Sequence, residues 1–192
     1  MRKVIAALAG VALVLGTAAC APSADGQTTD APTQSQSVPT IDPSLVPTPS
    51  PVAVTPADPA AFLTDYGDYV FRVGSGPTWC TISPSFGLAI CEQSEIATQY
   101  EPLPVPVSCD YSYGYQVQLW GAAPATGDLA FFPCSGGAFS DPTNAAVLLD
   151  GQSIAVAPFN CYVKVDTALC QNELGAWIAL GPKVWHVENP TL

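Results

Sequence analysis

Apolar positions along the chain follow two regimes. Between Val4 and Gly16 they form one run of small and aliphatic residues; from Tyr66 onward they come in short bursts separated by Gly, Pro, Asp and Asn. Bursts with a period near two, bounded by turn residues, predict β-strands, and no stretch shows a helical period. Residues 69–73 read as a first strand. Residues 79–83 and 88–92 flank Pro84-Ser85-Phe86-Gly87, in which Pro presets φ and Gly accepts positive φ, so the pair reads as a hairpin. Residues 111–120 alternate cleanly and 129–132 form a short apolar run. Residues 146–149 and 153–157 flank Asp150-Gly151, a strong hairpin-turn signal. Residues 161–164 and 167–170 flank Val165-Asp166, and 177–180 and 184–187 flank Gly181-Pro182. The expected fold is all-β: a small antiparallel sheet, sandwich or barrel of short strands.

Cysteine placement sharpens this. A hairpin centred on Ser85-Phe86 sets position i opposite 171 − i, and Cys80 then faces Cys91. One centred on Val165-Asp166 sets i opposite 331 − i, and Cys161 faces Cys170. Directly opposed residues in a non-hydrogen-bonded pair have Cα atoms about 4.5 Å apart, within disulfide reach. Cys109 and Cys134 pair by elimination, giving three disulfides. The two hairpins also resemble each other: Pro77-Thr78-Trp79-Cys80 matches Pro158-Phe159-Asn160-Cys161, and Glu92-Gln93 matches Gln171-Asn172.

The seventh cysteine, Cys20, belongs to the first regime. Arg2-Lys3 is a short positive n-region, the following apolar run is too short to span a bilayer, and Thr17-Ala18-Ala19 precede Cys20. Small residues before a cysteine fit a bacterial lipobox, in which the thiol is diacylglycerylated and the chain cut before it. The competing reading is plain secretion, with Ala19-Cys20-Ala21 as the cleavage site. Lipidation removes the odd thiol from the count. The chain thus divides into a signal peptide (1–19), a lipidated cysteine with a disordered tether (20–65) and a disulfide-rich β domain (66–192). Half of residues 21–59 are Pro, Ser or Thr, a composition that buries too little apolar surface to offset ordering entropy.

Charge excludes several partners. Beyond the signal segment the cations are Arg72, Lys164 and Lys183, against all sixteen acids, a balance of −13. Such a chain has too few cations to bind nucleic acid through phosphates or to be drawn electrostatically to an anionic bilayer. Its contact with the lipid bilayer is expected through acylated Cys20, at the outer face of the cytoplasmic membrane.

Phe71, the Gly-Ser-Gly-Pro-Thr-Trp-Cys segment at 74–80, the close Cys91, Cys170-Gln171-Asn172 and the Gly175-to-Leu180 segment around Trp177 resemble a group of actinobacterial exported proteins and lipoproteins with six cysteines in similar order. The likeness spans about 66 to 187. It implies an exported, disulfide-bonded protein in an actinobacterial setting, and no reaction. Members often carry Pro-Ser-Gly-Asn before the first cysteine and Gly-His-Gly-Phe after the last; here both the Asn and that His are missing.

Catalytic motifs are absent. His186 is the one histidine, and no G-x-S-x-G or Ser-x-x-Lys accompanies it, so it reads as a strand residue. No C-x-x-C spacing points to a metal, Asp65 and Asp68 lack a calcium-loop pattern, and no cofactor is expected. A carboxylate pair drawn from Glu92, Glu95, Asp110 and Asp128 is the enzymatic alternative, a hydrolase acting on envelope glycan. In residues 109–120 alternation puts Cys109, Tyr111, Tyr113, Tyr115, Val117 and Leu119 on one face: a core face closed by a disulfide, or an aromatic platform to which Trp79, Trp120 and Trp185 contribute. The expected function is a non-enzymatic cell-envelope module that binds protein or glycan through that surface.

Overall fold

The computed structural model describes residues 38–49 and 53–191; Cys20 and the signal segment lie outside the described residues. Among the described residues twelve strands build two six-stranded sheets. In the first half they are β1 (Thr55–Pro56), β2 (Tyr69–Val73), β3 (Thr78–Ser83), β4 (Leu88–Gln93), β5 (Gln116–Trp120) and β6 (Ala130–Phe131). In the second half they are β7 (Ala146–Leu148), β8 (Gln152–Val156), β9 (Phe159–Lys164), β10 (Thr167–Asn172), β11 (Trp177–Gly181) and β12 (Val184–Glu188). No α-helix occurs among the described residues; the only helical pieces are three short 3-10 turns.

The sheet orders show how the halves relate. One sheet runs β6-β5-β4-β3-β2-β7 and the other β12-β11-β10-β9-β8-β1. Each half lays down an antiparallel meander of five strands and sends its first strand to the other half's sheet. That guest strand pairs in parallel with the meander's first strand: β1 with β8, and β7 with β2. The sheets are therefore mixed, and the barrel among the expected architectures does not form.

The stapled hairpins have the expected register. Cys80 opposes Cys91 and Cys161 opposes Cys170, with Cα separations of 4.1 and 4.0 Å, and both pairs are bonded, as are Cys109 and Cys134. The four hairpin cysteines are fully buried, and Cys91 Sγ lies 3.9 Å from Cys170 Sγ, so the two staples meet in the core. Around them pack Phe71, Ile82, Val117 and Leu119 from one sheet and Ile154, Val163, Ile178 and Leu180 from the other. The resemblance between the hairpins extends to the residue two places after the second cysteine. The Gln93 amide bonds to Thr78 and Thr98, while the Asn172 amide accepts from the backbone N–H of Leu174 and Ala176 and donates to the Trp120 carbonyl. Each ties the chain leaving its hairpin to the sheet.

Three expectations change. The folded region starts ahead of Tyr66: β1 joins a sheet edge, where proline is tolerated, and Phe62 is buried edge-to-face against Phe71, ring centroids 6.1 Å apart. Residues 38–48 also lie on the domain, with Pro47 buried and Tyr162 donating a 2.6 Å hydrogen bond to the Thr48 carbonyl. Asp150-Gly151 is not a hairpin turn but a corner, with β7 in one sheet and β8 in the other. Finally, residues 111–115 are not part of a strand: β5 starts at Gln116, after Gly114 at φ +91°.

Candidate binding cleft

Across the outer face of the first sheet the register aligns Trp79 with Glu92 and Glu92 with Gln116. Strand alternation turns their neighbours Cys80, Cys91 and Val117 inward, so these three side chains point out of the core. They are covered by the chain after Cys134. Glu92 is the anchor. Its carboxylate accepts from the Trp79 indole N–H at 3.0 Å, from the Phe139 backbone N–H at 2.7 Å and from the Gln116 amide. Gln116 also donates to the Gly137 carbonyl at 2.8 Å, and the Thr81 and Ser140 hydroxyls meet at 2.7 Å. Glu92 is 1% exposed and has no cation partner among the described residues. Burial pushes its carboxyl above the usual range, against the opposing pull of its donors.

Beside this row lies a cleft of about 260 Å³. Its floor is Trp79, Glu92 and Gln116. One wall is Ser94 and Glu95, at the 3-10 turn that follows β4; the other is Ser112, Tyr115, Ser135 and Gly137. The second wall is rigid for a covalent reason. The Cys109–Cys134 disulfide holds two irregular segments together, and Ser112 and Ser135 exchange backbone hydrogen bonds of 3.1 and 2.9 Å just beyond it. Trp79 and Tyr115 are half-buried, while Glu95 and Ser112 are exposed. Partial burial and the neighbouring Glu95 carboxylate hold the Tyr115 phenol above its ordinary value, so near neutral pH it remains an O–H donor.

The aromatic residues singled out in the sequence do not form one platform. Trp79 and Tyr115 share the cleft. Tyr113 packs on Phe132 (5.9 Å), and Phe132 meets Trp185 edge-on at 4.9 Å. Trp120 stacks on Phe131 at 6.5 Å, and Tyr111 stands 65% exposed. The alternating face therefore splits: Val117 and Leu119 enter the core, and Tyr111 does not. Of the four carboxylates, Glu92 and Glu95 meet in the cleft; Asp110 and Asp128 are exposed elsewhere. A general acid must reach the leaving-group oxygen. Glu92 has both oxygens occupied by donors and almost no exposure, so it is placed to brace Trp79 and the 137–140 loop.

Asp65 and Asp68 line a separate cleft of about 520 Å³ with Asp141. Among the described residues the only group of three or more potential metal ligands within 4.8 Å of one another is Cys80, Cys91 and Cys170, and their sulfurs are held in disulfides. His186 stacks on Trp177 (4.1 Å) and contacts Glu188 at 3.2 Å. Sequence reasoning missed Gln116 and the 137–140 loop as site builders. It also missed the exposed pair Phe86 and Phe139, 6.0 Å apart edge-to-face across 53 positions of chain. No protein-family model, curated protein or solved structure matches the chain.

Proposed function

We propose that the protein is a non-enzymatic cell-envelope module that binds glycan in the Trp79–Tyr115 cleft. The observation that supports this is a tryptophan braced by a buried carboxylate inside a cleft that also offers hydroxyl and carboxylate groups. Pyranose recognition needs an apolar face to lie against and polar groups around it. The half-exposed Trp79 ring supplies the first. The Tyr115 O–H, the Glu95 carboxylate and the Ser112 hydroxyl, which has no hydrogen bond among the described residues, supply the second. Bracing lowers the entropy lost on binding, because the Trp79 side chain is already ordered by Glu92.

In this reading the chain is exported and held at the outer face of the cytoplasmic membrane by acylated Cys20. Among the described residues no helix is long and apolar enough to cross a membrane. Intact mass spectrometry of the processed protein tests the anchor: one acylated cysteine and three disulfides are expected, and a free thiol at Cys20 overturns it. Binding is tested by passing the protein over immobilised cell-wall oligosaccharides. Retention that Trp79→Ala abolishes, with the near-ultraviolet circular dichroism otherwise kept, is the expected result. Failure to retain the wild type on every envelope glycan overturns the reading.

A further inference from the structure

The chain carries few cations, and their placement is uneven. Among the described residues they are Arg72, Lys164 and Lys183. Arg72 Nε donates to the Ala145 carbonyl. Both lysines line one cleft of about 450 Å³, far along the chain from Trp79 and sharing no lining residue with its cleft. The topology explains the meeting. In the order β9-β10-β11-β12 the β9–β10 and β11–β12 turns fall at the same end of the sheet, and they carry Lys164 and Lys183. The segment Ser44–Val46 closes the opposite side, and Gln99, bonded through its N–H to the Pro182 carbonyl at 2.7 Å, completes the rim. Both lysines are exposed, and neither forms an ion pair among the described residues. The one acid on the rim, Asp166, has its carboxylate at the Ser75 backbone N–H, 3.4 Å away. The turn that presents Lys164 is itself held in an unusual form, with Val165 and Asp166 both at positive φ and the Val165 N–H fixed on Asp150.

We infer that this cleft binds a small organic phosphate monoester. Two exposed ammonium groups against the single Asp166 carboxylate leave the cleft net positive in a chain of −13. A phosphate monoester, with about −1.5 to −2 at neutral pH, is drawn to both ammonium groups more strongly than a singly charged carboxylate. The Gln99 amide adds a neutral donor, and Leu45 and Val165, 47% and 74% exposed, offer apolar contact to the organic part. The ligand is small because the surrounding chain is strongly acidic. At −13 it repels an extended anionic polymer or bilayer, and a single phosphate group can still enter a local positive site.

The test is calorimetric titration of the processed, oxidised protein with glucose 1-phosphate at low ionic strength, with glucose and inorganic phosphate as parallel probes. Saturable binding is expected, weakened by salt, with glucose silent. Lys164→Gln and Lys183→Gln each weaken it about tenfold, and Arg72→Gln leaves it unchanged. No saturation up to about 10 mM overturns the inference. So does a loss from Arg72→Gln equal to that from the lysine variants, because the effect is then net charge and not a site. The oligosaccharide reading stands or falls on Trp79 and is unaffected by either result.

Discussion

Replacement of Glu92 tests whether the outer face of the first sheet is organised as described. Glu92→Ala removes the acceptor for three groups at once: the Trp79 indole, the Phe139 backbone N–H and the Gln116 amide. Each buried donor left unpaired costs about 1–3 kcal/mol. Water entering from the neighbouring cleft relieves part of this, which leaves a loss of about 3 kcal/mol for the set. Glu92→Gln is nearly isosteric and tells more. Its amide oxygen can still serve Phe139 and Gln116, but its NH2 group opposes the Trp79 N–H, a donor against a donor. At acidic pH its cost is about 1–3 kcal/mol. The cost then shrinks as pH rises, and the sign follows from linkage. Burial raises the folded-state pKa of Glu92 above its ordinary value of 4.5, so the unfolded chain releases this proton first. The stability tied to the protonated group is fully present below pH 4.5 and is lost as pH rises through the folded pKa, at no more than about 1.4 kcal/mol per pH unit. The amide has no proton to lose. Asp42 and Asp141 do not blur the window, because their pKa values are lowered from 3.8 and their effect lies below it. Urea unfolding with disulfides intact, followed by tryptophan fluorescence at pH 5 and pH 8, measures both slopes. Parallel pH profiles for wild type and Glu92→Gln would refute the buried-carboxylate argument, and a Glu92→Ala loss under about 1 kcal/mol would refute the anchor.

Other expected outcomes follow from single contacts. Val165→Asn relieves a β-branched residue held at φ +49°, so it raises stability by about 1 kcal/mol in thermal unfolding; an unchanged or lower midpoint contradicts the strain. Gly121→Ala places a Cβ 2.6 Å from Pro158 Cγ and 3.0 Å from Phe159 Cζ; it costs about 1–3 kcal/mol by urea unfolding. Tyr100 is buried, donates to the Gly114 carbonyl at 2.8 Å and has its pKa raised by burial, so stability is present below pH 10 and falls as pH rises beyond it. Tyr100→Phe flattens that alkaline decline while lowering neutral stability by about 1 kcal/mol, both read from pH-resolved melts.

The parts of the fold legible in the sequence are those fixed by nearest neighbours along the chain. Four residues of turn chemistry set the 80–91 pairing, and two set the 161–170 pairing, because a hairpin's register depends on its own loop. A turn signal does not say which sheet each flanking strand joins. Asp150-Gly151 has the chemistry of a hairpin, yet its backbone serves other strands: the Gly151 N–H donates to the Val163 carbonyl and its own carbonyl accepts from Thr55. The alternation of 111–120 misled for a related reason. The Cys109–Cys134 bond and the Ser112–Ser135 bridge bind residues 109–115 to a loop, and Gly114 breaks the strand before β5 begins. Within the cleft, Trp79 and the acids were visible as residue types. Their convergence was not, because it is made by Gln116 and by a loop more than forty positions from Glu92.

The exchanged strands show why the composition of 21–59 concealed the start of the fold. Thr55-Pro56 has no apolar pattern and needs none, since it adds to the edge of a sheet whose meander belongs to the other half of the chain. The Thr55 N–H donates to the Gly151 carbonyl and the Ala57 N–H to the Ser153 carbonyl, and the burial that holds the segment comes from neighbours, including Phe62 against Phe71. The same exchange makes the halves interdependent. Without β7 the first meander loses the parallel partner of β2, and without β1 the second loses that of β8. The staples reinforce this: Cys91 and Cys170 meet sulfur to sulfur in the core, so each hairpin's disulfide is packing surface for the other. An isolated half would expose that surface together with Phe71, Val117, Ile154 or Ile178, all fully buried in the whole. The two sheets thus share one core, and the Trp79 cleft and the lysine cleft lie on different sheets of it.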